Sequence, residues 1–443
     1  MSKPPRRPFN RIARLGRLTG RVTTTYVRER IASTFRDEER NRDRMSQVHI
    51  ENAERIADTV GRLKGAAMKL GQAAAQAATS LDLPQEVTQA LSKLHAEAEP
   101  IPFSIIQEDI EASLERSLSQ AFVRVDPTPL GTASLAQAHA AQLHDGTNVV
   151  VKVLHRGIED SVSSDLLALK TMLMGSKLLR RAKEEMDDAF DEIRDRLEEE
   201  LDYLQEAANI ARFRSIFADD PRVRVPKVYG DWSTDRVLTM DHLPGVSHDA
   251  FLRSASPEAK HRAGTTIAEL YYEMAYKHRI LHADPHPGNF LFEEDGRVGL
   301  IDFGCVKNFD EFFMADYATA ALSSVRGNRA EALDACKRLG VWVGDDPKAE
   351  SALWEFCEAL AIPYRAESYV VGGSEDSLLE RIQPIGRALL RFPEIRAPSE
   401  MLYLHRSLGG IYGLLRPMRV EGNWGELLRE NGEYAIAQGK GLA

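Results

Sequence analysis

Leu281-His282-Ala283-Asp284-Pro285-His286-Pro287-Gly288-Asn289 is followed, after a short intervening stretch, by Leu300-Ile301-Asp302-Phe303-Gly304. The two segments read as H-x-D-x-x-x-x-N and then D-F-G. Their residue types match what phosphoryl transfer requires: a carboxylate beside the attacking oxygen, then an amide and a second carboxylate that hold a divalent cation on the phosphates. Asp284 suits the first role, and Asn289 with Asp302 the other two. The two aspartates stand eighteen residues apart. That spacing holds a short loop, a strand over 289–292, a turn at Glu294-Asp295-Gly296 and a second strand over 298–301. Both metal ligands then leave neighbouring strand ends and converge.

Taken alone, each segment has a plainer reading. Asp284 can be a turn residue before Pro285, His282 a buried hydrogen-bonded histidine, and D-F-G a chance triplet. The order and spacing of the pair together select the phosphoryl-transfer reading.

A site of this kind needs a strand lysine upstream, then a helix that carries an acidic partner for it. Val149-Val150-Val151-Lys152-Val153-Leu154 is a β-branched run with one charge, preceded by a turn at Asp145-Gly146. Lys152 is the candidate for the nucleotide phosphates. By itself the same lysine reads as an edge-strand charge facing solvent. The helical segment 187–217 is dense in carboxylates, including Glu198, Glu199, Glu200, Asp202 and Glu206. Charge runs are normally solvated helix faces, so pattern alone does not select a partner for Lys152.

The loop before Lys152 contains no G-x-G-x-x-G. Pro129-Leu130-Gly131-Thr132-Ala133-Ser134-Leu135-Ala136-Gln137-Ala138-His139 stands there instead. Small residues at Gly131, Thr132, Ala133 and Ser134 let backbone N–H groups approach phosphates. One glycine makes a stiffer loop than several do. An ordinary tight hairpin has the same appearance.

With these departures the chain resembles the UbiB/AarF (ADCK-type) atypical protein-kinase-like family. Five segments carry the resemblance in order: Lys69-Leu70-Gly71-Gln72, the small-residue loop, Val151-Lys152-Val153, Glu200-Leu201-Asp202 with Glu206, and the Asp284 and Asp302 segments. Leu83-Pro84 and Leu91-Ser92-Lys93-Leu94 add to it. The similarity runs roughly from residue 50 to residue 308. The resemblance implies that Lys152 binds phosphate and that Glu206 is its helix partner. It implies that Glu200 and Asp202 are the E-x-D carboxylates and that Lys69 projects toward them in the nucleotide cleft. It implies Asp284 as the catalytic-loop aspartate, Asn289 and Asp302 as metal ligands, and ATP with Mg²⁺ as cofactors. It also implies a poor protein kinase, since Lys69 blocks the place of a peptide, and a link to isoprenoid quinone lipids. Relatives commonly have an alanine-rich loop where this chain has Gly131-Thr132, which bears on nucleotide preference.

The fold class implied is α+β: a two-lobed protein-kinase-like fold with a small β-rich lobe, a mostly helical lobe and an added N-terminal helical extension. The expected divisions are a basic lead over 1–46, the extension over 47–120, the β-rich lobe with inserted helices over 121–241 and the helical lobe over 242–443. Helices are expected over 47–79, 85–97, 103–118, 160–181 and 186–217. Strands are expected over 121–126, 135–142, 148–154, 225–231 and 236–241. Met240-Asp241-His242-Leu243-Pro244-Gly245 forms the hinge, with adenine against Met240. After Gly304 there is no long activation segment and no A-P-E, and helix resumes over 309–322. Without that segment a peptide substrate lacks its usual platform, which favours a small or lipid substrate.

A chain of 443 residues accommodates such a core with extensions. Its three cysteines, Cys305, Cys336 and Cys357, have no metal-ligand spacing and suggest a reducing compartment. The net charge of −10 is uneven: residues 1–36 hold ten Lys/Arg against Glu29, a net +9, which leaves −19 on the remainder. Ile12, Leu15, Leu18, Val22 and Tyr26 recur at helical spacing among those charges. This pattern describes a basic amphipathic helix for an anionic membrane surface. A transit peptide or a plain basic tail has the same composition, whereas a secretory signal peptide needs an apolar core that is missing here. The acidic remainder repels phosphate backbones, so no nucleic-acid partner is expected. No apolar run reaches the ~18–20 residues of a membrane span. The expected location is cytoplasmic, with peripheral attachment to the inner membrane face.

Three functions compete on this reading. The first is an ATP- and Mg²⁺-dependent kinase-like ATPase at a membrane surface, acting on or for a prenyl-quinone or other lipid. The second is a nucleotide-gated lipid-binding pseudokinase. The third is a small-molecule kinase of the aminoglycoside or choline type, which has no need of the Lys69 helix.

Overall fold

The computed structural model describes residues 100–133, 135–158, 201–342, 344–389 and 391–441. Lys69 and its K-x-G-Q segment, Ser134, Glu200, the basic lead and the helices expected over 47–79, 85–97 and 160–181 lie outside the described residues. The chain is α+β and divides into two compact units. The first runs to Gln205 and includes Val228–His242; the second comprises Glu206–Lys227 and everything from Leu243.

The first unit is built on a four-stranded antiparallel sheet in the order β1-β2-β3-β5. Its strands are β1 (Arg124–Thr132), β2 (Ala136–Gln142), β3 (Asn148–Leu154) and β5 (Val237–Asp241). Alternation in β3 turns Val149, Val151 and Val153 inward, all essentially inaccessible to solvent. Ile106, Ile110 and Leu114 of helix α1 (Phe103–Leu114) cover that face, together with Phe122, Leu143 and Val237. The inward face of β2 is polar in part. His139 is fully buried, with Nδ1 2.7 Å from the Asp126 carbonyl and Nε2 3.0 Å from Gln137 Nε2. The carbonyl can only accept, so Nδ1 carries the proton and Nε2 accepts from the Gln137 amide.

Two expected elements differ. The helix expected over 103–118 stops at Leu114, where Glu115 enters the left-handed region at φ 53°. Ser117 and Gln120 then cap a separate turn, α2 (Leu118–Ala121), which takes the start of the strand expected over 121–126. No strand spans 225–231. Pro226 lacks an N–H for a ladder, and one bridge between Val228 and Met240 remains before a 3₁₀ turn at Gly230–Trp232.

The second unit is mostly helical. Helices α3 (Tyr203–Ile216), α4 (His248–Ser254) and α5 (Pro257–Tyr272) precede a set of short strands. These are β6 (Ile280–His282), β7 (Phe290–Phe292), β8 (Val298–Leu300) and β9 (Val306–Asn308). β7 and β8 form an antiparallel hairpin, with β4 (Val223–Arg224) parallel to β8, while β6 pairs with β9. Among the described residues seven helices follow: α6 (Glu311–Arg326), α7 (Arg329–Arg338), α8 (Pro347–Leu360), α9 (Ile362–Arg365), α10 (Leu378–Leu389), α11 (Ser399–Leu415) and α12 (Trp424–Gly439). Asp310 caps α6 through the Phe312 and Phe313 N–H groups, and Gly327 ends it at φ 73°.

A ladder of rings, Phe309, Phe313 and Tyr317, runs along α6 and ends on His405 of α11. Tyr317 Oη lies 3.1 Å from His405 Nε2, and burial pushes the His405 pKa down to about 4. An unfolded histidine titrates near ~6.5. The unfolded chain therefore binds this proton first, and the stability contribution is full above that value and lost as pH falls from 6.5 toward 4. Urea unfolding at pH 7.5 and pH 5 is expected to show a loss of about 2 kcal/mol attributable to this group. His405→Asn flattens that slope; an unchanged slope contradicts the assignment.

Candidate active site

The approach to the catalytic loop is irregular. Helix α5 ends in a π-helical turn at Glu273–Lys277, closed by the His278 N–H on the Glu273 carbonyl at 3.1 Å. Arg279 follows at φ 53°, a left-handed position occupied by a non-glycine residue. The Phe309 N–H donates to its carbonyl, and Glu311 pairs with its guanidinium at 2.7 Å. The chain then enters β6 and delivers His282, which is 1% exposed.

His282 Nε2 lies 2.6 Å from the Asp302 carbonyl oxygen, and Nδ1 lies 3.1 Å from the Tyr271 hydroxyl. Beyond it, Asp284 is exposed, with Pro285 buried beneath the loop. The Asn289 amide donates to both the Asp284 carbonyl at 2.9 Å and its carboxylate Oδ2 at 3.1 Å. The His286 side chain caps the 3₁₀ turn Pro287–Asn289 through the Gly288 N–H. Two backbone bonds tie this loop to the D-F-G strand: Ile301 N–H to the Asn289 carbonyl, and Ala283 N–H to the Cys305 carbonyl.

The backbone of Asp302 and Phe303 is held at three points. His282 takes the Asp302 carbonyl, the Glu206 carboxylate accepts the Phe303 N–H at 3.2 Å, and the Asn209 amide donates to the Phe303 carbonyl at 2.9 Å. Glu206 is 3% exposed. The Phe303 ring is fully buried between Phe213 at 5.1 Å and His282 at 5.7 Å. The Asp302 carboxylate Oδ1 accepts the Gly304 N–H at 3.2 Å.

The donors at Asp302 and Asn289 fit a hard cation. Since the Asn289 Nδ2 is committed to Asp284, its Oδ1 is the atom left to ligate. Among the described residues no three His, Cys, Asp or Glu side chains form a ligand cluster. Two protein donors are fewer than a hard divalent cation takes, so other ligands would have to complete its shell.

In the first unit, Lys152 sits in β3 opposite Ala138 of β2 and Leu238 of β5. Its Nζ lies 5.7 Å from the Tyr203 ring centroid, a cation–π distance. Met240 is buried in β5 opposite Val150. The small-residue loop is a hairpin: Gly131 pairs with Ala138, Thr132 with Gln137, and the Ala133 N–H closes on the Ala136 carbonyl at 2.8 Å. A Cβ on Gly131 meets nothing within 4 Å, so the backbone does not require glycine there. Asp202 is exposed and caps α3, its Oδ1 accepting the Gln205 N–H at 2.9 Å. The structure thus bonds Asn289 to Asp284 and ties their loop to the segment that carries Asp302, with Glu206 on the Phe303 N–H. Lys152, Met240 and the loop belong to the other unit.

Four contributors carry no sequence motif: Tyr271, Asn209, Arg406 and Gly410. The last two lie on α11, more than a hundred residues after the loop they touch. The Arg406 guanidinium donates to the Ala283 carbonyl at 3.2 Å. Gly410 meets Pro285, where a Cβ would lie 2.5 Å from Cγ of the proline ring.

Residues 93–335 match the ABC1 atypical kinase-like domain. The chain is 32% identical over 302 residues to AarF domain-containing protein kinase 1 of Xenopus laevis, which covers 67% of this chain and 57% of that protein. It is 31% identical over 368 residues to the mitochondrial atypical kinase COQ8B of Rattus norvegicus, covering 82% and 68%. It is 27% identical over 388 residues to mitochondrial atypical kinase COQ8 of Saccharomyces cerevisiae, covering 87% and 77%. Among solved structures, Rv3197 of Mycobacterium tuberculosis, determined with erythromycin, superposes with a TM-score of 0.60 at 24% identity, over 89% of this chain and 99% of that one. That likeness concerns the fold.

The Pro285 contact makes a testable contrast within α11. Gly410→Val has no room beside Pro285 and is expected to cost about 1–3 kcal/mol in thermal or urea unfolding. Gly409→Ala, one residue away and open to solvent, is expected to stabilise by about 0.5–1 kcal/mol through helix propensity. Equal effects contradict the close docking of α11 on the loop.

Proposed function

The chain belongs to the ABC1 atypical kinase-like family, and from that premise we propose that it is an ATP- and Mg²⁺-dependent atypical kinase or ATPase. Its proposed place is a membrane surface, on or for a prenyl-quinone or other lipid. The observation that carries the reading is the bond from the Asn289 amide to the Asp284 carboxylate, next to an Asp302 whose backbone is pinned.

The residues divide the chemistry among themselves. Asp284, exposed and oriented by Asn289, accepts the proton of an acceptor hydroxyl or water as that oxygen attacks the terminal phosphorus. Asp302 and the Asn289 Oδ1 would hold the cation. Bound there, Mg²⁺ neutralises charge on the phosphate oxygens. The family resemblance assigns Lys152 and Lys69 to the nucleotide phosphates. The resemblance places Gly131, Thr132 and Ala133 at the phosphate-covering loop, where the Ala133 N–H is already bonded to the Ala136 carbonyl, and Met240 at the adenine-bearing hinge. The buried Glu206 holds the Phe303 N–H, which keeps the D-F-G turn oriented while ligands exchange.

The membrane part of the proposal rests on the +9 charge of residues 1–36 and their apolar spacing. No helix among the described residues is long and apolar enough to cross a membrane. The lipid part rests on family membership and the missing peptide platform after Gly304.

Steady-state ATP hydrolysis tests the catalytic assignment. Asp302→Asn and Asp284→Asn are each expected to lower kcat by about 100-fold or more. Wild-type activity is expected to rise on vesicles containing phosphatidylglycerol and not on neutral vesicles. Full activity in Asp302→Asn overturns the mechanism, and equal activity on both vesicle types overturns the membrane part.

A further inference from the structure

Tyr271 is absent from the chemistry above, yet its hydroxyl lies 3.1 Å from Nδ1 of the histidine whose other nitrogen holds Asp302. The Asp302 carbonyl oxygen can only accept a hydrogen bond, so His282 Nε2 must carry the proton. In a neutral imidazole the other nitrogen is then an acceptor. The Tyr271 O–H is therefore the donor to Nδ1. Burial, with the charges of Asp284 and Cys305 adding to it, pushes the Tyr271 pKa well above its ordinary value, so the phenol keeps the proton it donates.

All three groups are closed to solvent: Tyr271 is 2% exposed, His282 1% and Phe303 fully buried. Water cannot replace either partner without opening this core. A ring gripped at one nitrogen can still pivot about that hydrogen bond. Gripped at both, it is fixed in plane and in position. Helix α5, from its last residue but one, thereby sets the ring that sets the Asp302 carbonyl. The π turn at Glu273–Lys277 and the left-handed Arg279 separate the two residues along the chain and bring β6 back beside the helix end.

We propose that Tyr271 is a positioning residue that acts through His282 to fix the backbone of Asp302 in the orientation that binds the nucleotide-associated cation. The proposal rests on the kinase reading for the identity of that cation. It does not rest on it for the hydrogen-bond relay, which belongs to the protein alone.

The full-length chain, labelled with ¹⁵N-histidine, is compared as wild type and Tyr271→Phe, with His282→Gln to assign the resonance. In the wild type, long-range ¹H–¹⁵N correlation is expected to show His282 as a single Nε2–H tautomer with a hydrogen-bonded Nδ1. In Tyr271→Phe the Nδ1 signal moves to the position of a free acceptor or broadens with ring motion. The Mg²⁺ concentration that half-saturates binding of a fluorescent, non-hydrolysable ATP analogue is expected to rise about tenfold. Nucleotide affinity at saturating Mg²⁺ stays within about twofold, a split that general loosening of the core would not produce.

A proton on Nδ1 in the wild type overturns the inference without any variant. So does a Tyr271→Phe protein with unchanged His282 shifts and unchanged Mg²⁺ dependence. A wild type that shows the expected tautomer but no Mg²⁺-dependent nucleotide binding contradicts the kinase reading and, with it, the cation-binding half of the inference.

Discussion

The candidate site depends on the grip on one peptide unit, that between Asp302 and Phe303. Its carbonyl is held by a histidine, its N–H by a buried carboxylate, and the next carbonyl by an amide. Were Asp302 to hold a cation against phosphate charge, its own side-chain rotamer would not suffice to place the carboxylate. Placing its backbone fixes the carboxylate, and buried hydrogen bonds to charged groups are the strong ones available for this. The cost is local. A carboxylate at position 206 is taken out of water, and an aromatic ring at position 303 must fill the space behind it. The dense packing of Phe213, Phe303, Phe290 and His282 offsets that cost by burying apolar surface around the anchor.

The same constraint explains the irregular backbone nearby. Regular helix running directly into β6 would have no reason to use a π turn and a left-handed arginine, both of which are unfavourable on their own. Here they separate Tyr271 from His282 by eleven residues and still bring the two into hydrogen-bond contact. Glu311 and the Phe309 N–H hold the strained Arg279. From the other direction α11 closes on the loop, with a glycine where Pro285 needs room and an arginine on the Ala283 carbonyl. Catalytic loop and D-F-G turn are therefore supported by elements far apart in sequence.

That separation marks what could be read from the sequence. The hairpin of β7 and β8, the β-branched strand of Lys152 and the Asp284, Asn289 and Asp302 set are local patterns, and the strands lie within a residue or two of where alternation puts them. Asp202 also had a local signal. Asp202-Tyr203-Leu204-Gln205 is a helix-start pattern, and the structure uses the carboxylate as a cap. Glu115 gave no warning, because a glutamate in the left-handed region looks like any other helical glutamate. Pro226 carries a local signal against a strand, since it has no N–H for a ladder. Tyr271, Asn209 and Arg406 were not legible, since a buried tyrosine on a helix looks the same whether or not its hydroxyl meets the histidine that holds the Asp302 carbonyl.

The central claim is that Asp302 and Asn289 hold a divalent cation only together with nucleotide. Electron paramagnetic resonance of Mn²⁺, with and without a non-hydrolysable ATP analogue, tests it directly in wild type and Asn289→Ala. The account predicts bound Mn²⁺ only when nucleotide is present, with affinity about tenfold weaker in the variant. Tight Mn²⁺ binding without nucleotide, or binding unchanged by loss of Asn289, would contradict it.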